Sequence, residues 1–505
     1  MSGGNAKLTH VAGTFLIQAD GAFLNGAGID PRREDKNTAI PKSYRDGIGN
    51  RVPYVSAQAW RRWLRTTLIE ETGWPASELR AIDLSEKGTT NKIAGELNPV
   101  DFPEDDIFGY MRAAKGQGRE EAAETEDEEK SDAELAREQK VKFFKDITAD
   151  IKILQAGKQG KGKKVKDLSE DERITLAENV VKKLKDEMQK RLAEDEEAIE
   201  ETIQQKLEAI SKEFDDKTKA KQKLQSLAQE LSTVSQAFNP GRVKALMRSS
   251  PFASSILVSI RRKGWEGLDK GYVHLKEGTP LPYNTEFYNT HLQGIFCLDY
   301  GRLGVFWNLG DRIELEEAKA EKFLGERRIE EITAQEPYRS LSQNGKMGRI
   351  YRLKDGDNQR RQRATALLNA LALLRGGAKQ AQFGTDIAPK VLIVAGLTCG
   401  NPIFNHLFKD DNEGPLFKIE AFKEIIADYA DRIVTPVLIG MRAGYLKNES
   451  DVYDLKGRYR VHNNSDNRLT KVDGSSGEDP AETRFVEVKV MTPVEVAKSI
   501  GDLLP

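Results

Sequence analysis

Cysteine is nearly absent from this 505-residue chain: only Cys297 and Cys399 occur, both in apolar surroundings. So sparse a pair excludes a disulfide framework and points to a reducing compartment. Histidine is scarce too, with His10, His274, His291, His406 and His462 scattered along the chain. No HxxxH, HExxH or Cys/His spacing joins them, so no metal site and no cofactor is expected. There is no GxSxG elbow, no GxGxxG spacing and no phosphate loop ending in Lys-Ser/Thr. Carboxylates are plentiful and therefore undiagnostic. No apolar run approaches a membrane span, and Val11–Ile17 is too short for a secretory signal. Hydrophobic residues make up 38% and charged residues 31%, which fits a cytoplasmic globular protein of about three domains.

What is present is a concentration of positive charge. Pro31–Leu68 reads PRREDKNTAIPKSYRDGIGNRVPYVSAQAWRRWLRTTL. Arg32, Arg33, Lys36, Lys42, Arg45, Arg51, Arg61, Arg62 and Arg65 face only Glu34, Asp35 and Asp46, while the whole chain nets −2. A cationic loop feeding a helix start suits a polyanion, because Lys/Arg charges and free backbone N–H groups meet the same ligand. Ser56 is the predicted N-cap of a helix running through Ile69. Ala59, Trp60, Trp63, Leu64 and Leu68 form its apolar stripe, and Gln58, Arg61, Arg62 and Arg65 fall on the other side.

In order along the chain, Leu8–Gln18 reads as a strand and Ala22–Gly28 as a glycine-bearing loop that lets a ligand approach closely. Phe102–Met111 (FPEDDIFGYM) reads as a docking or capping turn or, at least as readily, as a core-packing segment. Glu120–Glu138 holds ten acidic and two basic residues, a solvated stretch. Apolar spacings through Val180, Leu184, Met188, Leu192, then Ile199 to Phe214, then Leu224 to Val234 predict a helical bundle or hairpin over Ala133–Ser235. Ahead of them, Gly157–Lys164 (GKQGKGKK) reads as a flexible loop. Ser250–Ile260 and Phe287–Phe306 read as strands, and the Gly- and aromatic-rich segment between them as a protruding hairpin. A basic stretch, Arg349–Arg363, leads into a helix over Arg363–Arg375 that ends at Gly376-Gly377. Lys390–Leu397 follows as a buried strand, and the tail from Pro415 as helix, hairpin and short helix. The predicted class is α+β, with an RRM-like (ferredoxin-like) sheet interrupted by a charged helical insertion.

Those residues carry a family likeness. The first strand, the loop FLNGAG, the segment YVSAQAWRRWLR, then DIFGYM, SPFASSILVS and GGAKQAQFGTDIAPKVLIV together resemble the backbone subunit of type I CRISPR Cascade complexes, in the DevR (type I-B) branch. The likeness covers most of Leu8–Met111 and Phe238–Phe404. It implies an RRM-like palm (residues 1–112 and 238–505, including a C-terminal extension), helical fingers (113–237) and a hairpin thumb (261–292). It also implies a non-catalytic subunit that polymerises along the CRISPR guide RNA in copies of itself. Such a subunit grips the guide's phosphates and presents its bases for pairing with target DNA. Further implied partners are the large subunit, the repeat-handle-capping subunit and a recruited helicase-nuclease or transposition adaptor.

The resemblance further implies that Asn25, Gly26, Lys36, Lys42, Arg45 and Arg51 lie against the guide backbone, that Ser56, Gln58, Arg61, Arg62 and Arg65 hold phosphates, and that Lys263, Lys379 and Gln380 contact RNA or a neighbouring copy. The bottom-up reading agrees, since basic surface beside a small-residue loop holds a backbone without reading bases. Two other readings stand. Type III backbone subunits use an Asp near the glycine loop to cut target RNA, and Asp30, or less so Asp20, occupies that place. A helical protein-interaction scaffold without nucleic acid would account for the insertion but leave the basic loop unexplained.

Overall fold

A computed structural model describes residues 7–27, 37–84, 90–112, 132–161, 164–193, 201–214, 216–235, 245–273, 275–309, 312–333, 335, 348–462, 469–472 and 484–505. The chain divides into two compact units, Met1–Ala114 with Lys244–Pro505, and Lys115–Val243. The fold is mixed α+β.

The first unit is built on β1 (His10–Ala22), buried along most of its length. Its alternating side chains feed two cores: Val11, Phe15 and Ile17 enter one, Ala12 and Leu16 the other. β1 pairs antiparallel with the long strand Leu281–Asp299 on one side and with Val391–Leu397 on the other. Around them lies a thirteen-stranded sheet among the described residues. From one edge it runs Leu469–Val472, Gly457–Val461, Arg484–Met491, Val437–Met441, Val391–Leu397, β1, Leu281–Asp299, Leu257–Ser259, then the strand Arg51–Val55 and the strand Ser43–Arg45. Thr38–Ala39, the latter two strands and the helix after them are named here β2, β3 (Ser43–Arg45), β4 (Arg51–Val55) and α1 (Ala57–Thr72).

Helices cover both faces. Trp60, Leu64 and Leu68 of α1 enter the first core with Leu367 and Leu371 of helix Gly356–Ala372 and Val496 and Ile500 of helix Pro493–Leu503. Phe422 and Ile426 of helix Ile419–Asp428 fill the second. α1 extends three residues past the predicted end and stops at Gly73, whose φ of 66° gives the left-handed C-cap that glycine adopts without steric cost. The predicted strand Ser250–Ile260 is broken at Ser255 and Ile256, leaving strands Phe252–Ser254 and Leu257–Ser259. There the Ser255 hydroxyl accepts from the N–H of Ile295 at 3.0 Å, substituting for the ladder. Helix Gly356–Ala372 begins seven residues before the predicted start, because the second half of the basic run, Arg360, Arg361 and Arg363, lies on it, and two of these, Arg360 and Arg363, are buried.

The chain leaves this unit after strand Tyr110–Arg112 and returns at strand Ala245–Arg248, and the two strands pair antiparallel. The predicted turn Phe102–Met111 is a helix, α2 (Pro103–Phe108), followed by that first strand. In the second unit, helices Asp132–Ala156, Glu170–Ala193, Glu201–Glu213 and Lys217–Ser235 share one core containing Ile151, Leu184, Leu207 and Leu231. The segment read as a flexible loop is a two-stranded hairpin, Lys158–Lys161 with Lys164–Asp167. Most of the acidic stretch Glu120–Glu138 lies outside the described residues.

Candidate nucleic-acid interface

The small-residue loop after β1 is held from three sides. The N–H of Leu24 donates to the Tyr288 hydroxyl at 3.1 Å, and its carbonyl accepts from Ala378 at 2.9 Å. Asn25 uses its side-chain oxygen to accept from the N–H of Ser56 at 3.1 Å and its carbonyl to accept from Lys42 at 2.8 Å. Gly26 bridges Pro41, and Ala27 donates to Ile40. The loop is thereby sewn to the segment before β3 and to the start of α1. Ser56 stands at the predicted N-cap position, but its hydroxyl caps nothing.

The double glycine after the long helix is set by this packing. Gly376 and Gly377 have φ of 138° and 106°. A Cβ on the first would fall 2.5 Å from the Trp63 ring, and one on the second 2.6 Å from Leu24. Only glycine fits there.

β3 and β4 form a hairpin whose turn is closed by Asp46, which accepts from the N–H groups of Ile48 and Asn50 at 3.1 and 2.8 Å. Arg45 beside it is exposed and donates to the Gly49 carbonyl at 3.0 Å. Tyr44 and Tyr54 meet edge to face at 6.1 Å on this hairpin, and Arg262 reaches the Tyr44 hydroxyl at 3.4 Å. Lys263 follows, exposed, at the base of the projecting hairpin Glu266–Val273 and Leu281–Asp299. Lys42, half-buried, immediately precedes β3.

The expected phosphate contacts therefore divide. Lys42, Arg45, Gln58, Arg62 and Lys263 present their side chains at the surface to varying degrees, and Arg62 and Gln58 are exposed on α1. Arg51, Arg61, Arg65, Lys379 and Gln380 depart from the expectation, because internal partners hold them. Arg51 pairs with Glu286 at 2.8 Å, donates to Ser43 and lies 5.3 Å from the Trp265 ring centroid. Arg61 donates to the Phe108 carbonyl at 3.0 Å, to Ser250 at 2.8 Å and to the Phe252 carbonyl, and burial lowers its pKa. Arg65 is hydrogen-bonded to buried Glu104, which raises its pKa, and stands 3.9 Å from Asp105. Lys379, at φ 53°, donates to Thr285 at 2.6 Å beneath the Phe23 ring, and Gln380 donates to the Gly376 carbonyl. Lys36 and Asp30 lie outside the described residues. Asp20 is exposed and accepts from Gln18 at 2.7 Å.

Sequence reasoning missed Arg262 and the tyrosine pair. Their signal was available as Tyr44 and Tyr54 on strands flanking one short turn, which brings them together across the hairpin. Among the described residues no group of His, Cys, Asp and Glu could hold a metal ion, and no helix is long and apolar enough to cross a membrane.

No family model matches the chain, and no curated protein matches it. Two solved structures are similar to it over most of its length. A chain of a "CRISPR RNA-guided surveillance complex, pre-nicking" is 11% identical, with a TM-score of 0.35, over 98% of this chain and 100% of that one. A chain of a "CRISPR RNA-guided surveillance complex" is 10% identical, with a TM-score of 0.31, over 86% of this chain and 90% of that one. Likeness at this level carries no inference for the present chain.

Proposed function

We propose that this chain is a non-catalytic backbone subunit of a type I, I-B-like CRISPR surveillance complex, binding the guide RNA through its phosphates and polymerising along it. The observation that carries the reading is the set Lys42, Arg45, Arg262 and Lys263 around the Tyr44–Tyr54 pair, next to a loop locked against α1. Cations and aromatic rings on one surface grip a single strand by charge and stacking without selecting its sequence. That suits a subunit that accepts any guide and leaves recognition to base pairing. The motif likeness of the glycine loop, the α1 start and the late Gly-Gly-Ala-Lys-Gln segment supports the same reading.

The deciding experiment is purification at moderate salt from cells expressing a CRISPR array, with the 260/280 absorbance ratio and sequencing of any bound RNA. Uniform, repeat-derived guides co-eluting with a large assembly are expected. Clean protein of monomer size that binds no RNA when mixed with guide and partner subunits overturns the reading. The same assembly, given magnesium and complementary RNA, is expected to leave that RNA uncut.

A further inference from the structure

Two helices of the second unit, Asp132–Ala156 and Glu170–Ala193, hold an open cleft of about 360 Å³ between them. Phe143, Asp146 and Ile147 line it from the first helix, and Lys183, Asp186 and Glu187 from the second. Each set follows the i, i+3, i+4 spacing, which puts three side chains on one helix face. Ile147 belongs to the core of the unit and Phe143 packs against that core half-buried, so the floor of the cleft is apolar.

The walls are anionic. Asp146 and Asp186 are exposed, one on each helix, and among the described residues neither makes a hydrogen bond or an ion pair. Glu187 already has a partner. Lys183, the one cation of the lining, donates to Asp150 at 2.9 Å and is neutralised by it. Lys142, Lys145, Lys182 and Lys185 lie on the same helices but do not line the cleft. A side chain that fits such a place is apolar along its length and cationic at its end. Lysine and arginine have that form: they bury the stem on apolar surface and keep the head in a polar setting. The same two carboxylates repel a phosphate backbone.

We infer that this cleft is a docking site for a basic segment of a partner protein, seating the stem of one lysine or arginine on the floor made by Phe143 and Ile147 and its charged head between Asp146 and Asp186. An acidic partner surface is repelled, and a purely apolar one would desolvate both carboxylates without giving them a partner. The inference stands on the second unit alone and is independent of the guide-RNA reading, whose residues lie on the first.

The test uses the purified full chain and a fluorescein-labelled helical peptide with leucine and lysine on one face, read by anisotropy. Carbodiimide then joins a lysine amine to a carboxylate that it touches, and mass spectrometry maps the bond. The crosslink is expected on Asp146 or Asp186. Asp146→Asn combined with Asp186→Asn should weaken binding about 2- to 30-fold, the range for losing two exposed ion pairs, and should abolish that crosslink. Glu208→Gln combined with Glu230→Gln, exposed acids on the other two helices of the unit, removes the same charge and should leave binding unchanged. All four are surface changes, and unchanged thermal melting verifies the fold. No binding of the lysine peptide, equal weakening by the two double variants, or crosslinks spread over other carboxylates would overturn the inference. So would displacement of the peptide by an equal concentration of spermidine, which would make the cleft a polyamine site, or equal binding of a matched peptide with glutamate in place of lysine.

Discussion

Arg248 and Asp106 form an ion pair in which neither side chain has any exposure to solvent. Arg248 ends the strand on which the chain returns from the insertion, and all five of its guanidinium N–H groups are placed. They go to the carbonyls of Asp106, Val305 and Arg302, to the Asp106 carboxylate and to Glu314. Asp106 in turn accepts from Gly304 at 2.9 Å and from Arg363 at 2.6 Å. Removing one member of such a cluster leaves buried charge and buried carbonyls without partners. Arg248→Met should destabilise the protein by about 3–5 kcal/mol in urea denaturation. Arg248→Lys should recover little, since an ammonium has three donors and no planar fork. A loss below about 1 kcal/mol for Arg248→Met would show the cluster to be dispensable.

Two neighbouring arginines of α1 should separate stability from binding. Arg61 is tied to the Phe108 and Phe252 carbonyls and to Ser250, so Arg61→Ala strands buried acceptors and should cost about 3 kcal/mol. Arg62 is exposed, so Arg62→Ala should change stability by no more than about 0.5 kcal/mol. On the proposed function it removes one phosphate contact, making the log–log salt slope of guide binding shallower by about 0.7. Paired urea titrations and filter binding over a salt series read both effects. Equal destabilisation by the two variants would contradict the division.

The same pair shows what could be read from the chain and what could not. The existence of β1, α1 and the strand Val391–Leu397 followed from periodicity and from Gly and Pro, because those signals are local, while several boundaries shifted by three to seven residues. The start of α1 and the projecting hairpin were placed by such signals. Which arginine faces solvent is not a local property: Arg61, Arg62 and Arg65 lie within five positions, and their fates depend on Phe108, Phe252 and Glu104. The segment FPEDDIF reads equally as a docking turn or as core packing; the structure buries it, with Glu104 and Asp106 as the counter-ions of Arg65, Arg248 and Arg363. An acidic cluster and a basic cluster far apart in sequence cancelled in the fold. The thirteen-stranded sheet was illegible for a related reason, since its edge strands are short and have little periodicity of their own.

His291 provides a pH signature. It is buried on the long strand, its Nδ1 lies 2.8 Å from the Tyr445 hydroxyl and its Nε2 lies 3.9 Å from Asp410. Burial lowers its pKa below the ordinary 6.5; Asp410 and Asp20 oppose the shift, and Arg261 reinforces it. The unfolded chain therefore takes up this proton first as pH falls. Its contribution to stability is complete above about pH 6.5 and declines below it, until the folded pKa is passed. The difference in unfolding free energy between the wild type and His291→Gln should narrow as pH falls from 7.5 toward 5 (roughly the titration range of histidine). A difference that is flat or grows on acidification would refute the assignment.

The projecting hairpin rests on two glycines lying under aromatic rings. In the register Gly267 faces Phe287 and Gly271 faces Tyr283, and a Cβ on either glycine would fall 2.3 or 2.5 Å from the opposing ring. Each ring lies across the bare backbone, covering a strand that has no side chain of its own to pack there. Phe287 also meets Phe383 at 5.7 Å, and Gln382 donates to Asp269 at 2.7 Å, so the base of the hairpin is fixed to the segment carrying Lys379 and Gln380. Nearer the tip, Tyr272 and Leu281 are largely exposed and add little burial. Gly271→Ala should therefore displace Tyr283 and loosen the outer hairpin alone. Gly267→Ala should displace Phe287 and loosen both the hairpin and the Gln380–Phe383 turn. Hydrogen exchange by mass spectrometry distinguishes them: faster exchange is expected over Glu266–Val273 in both variants, and over Gln380–Phe383 only in Gly267→Ala. Amides of β1 should stay protected in each, because β1 is covered by both cores and owes nothing to the hairpin rings. Unchanged exchange in the hairpin of both variants would mean that the rings do not hold it.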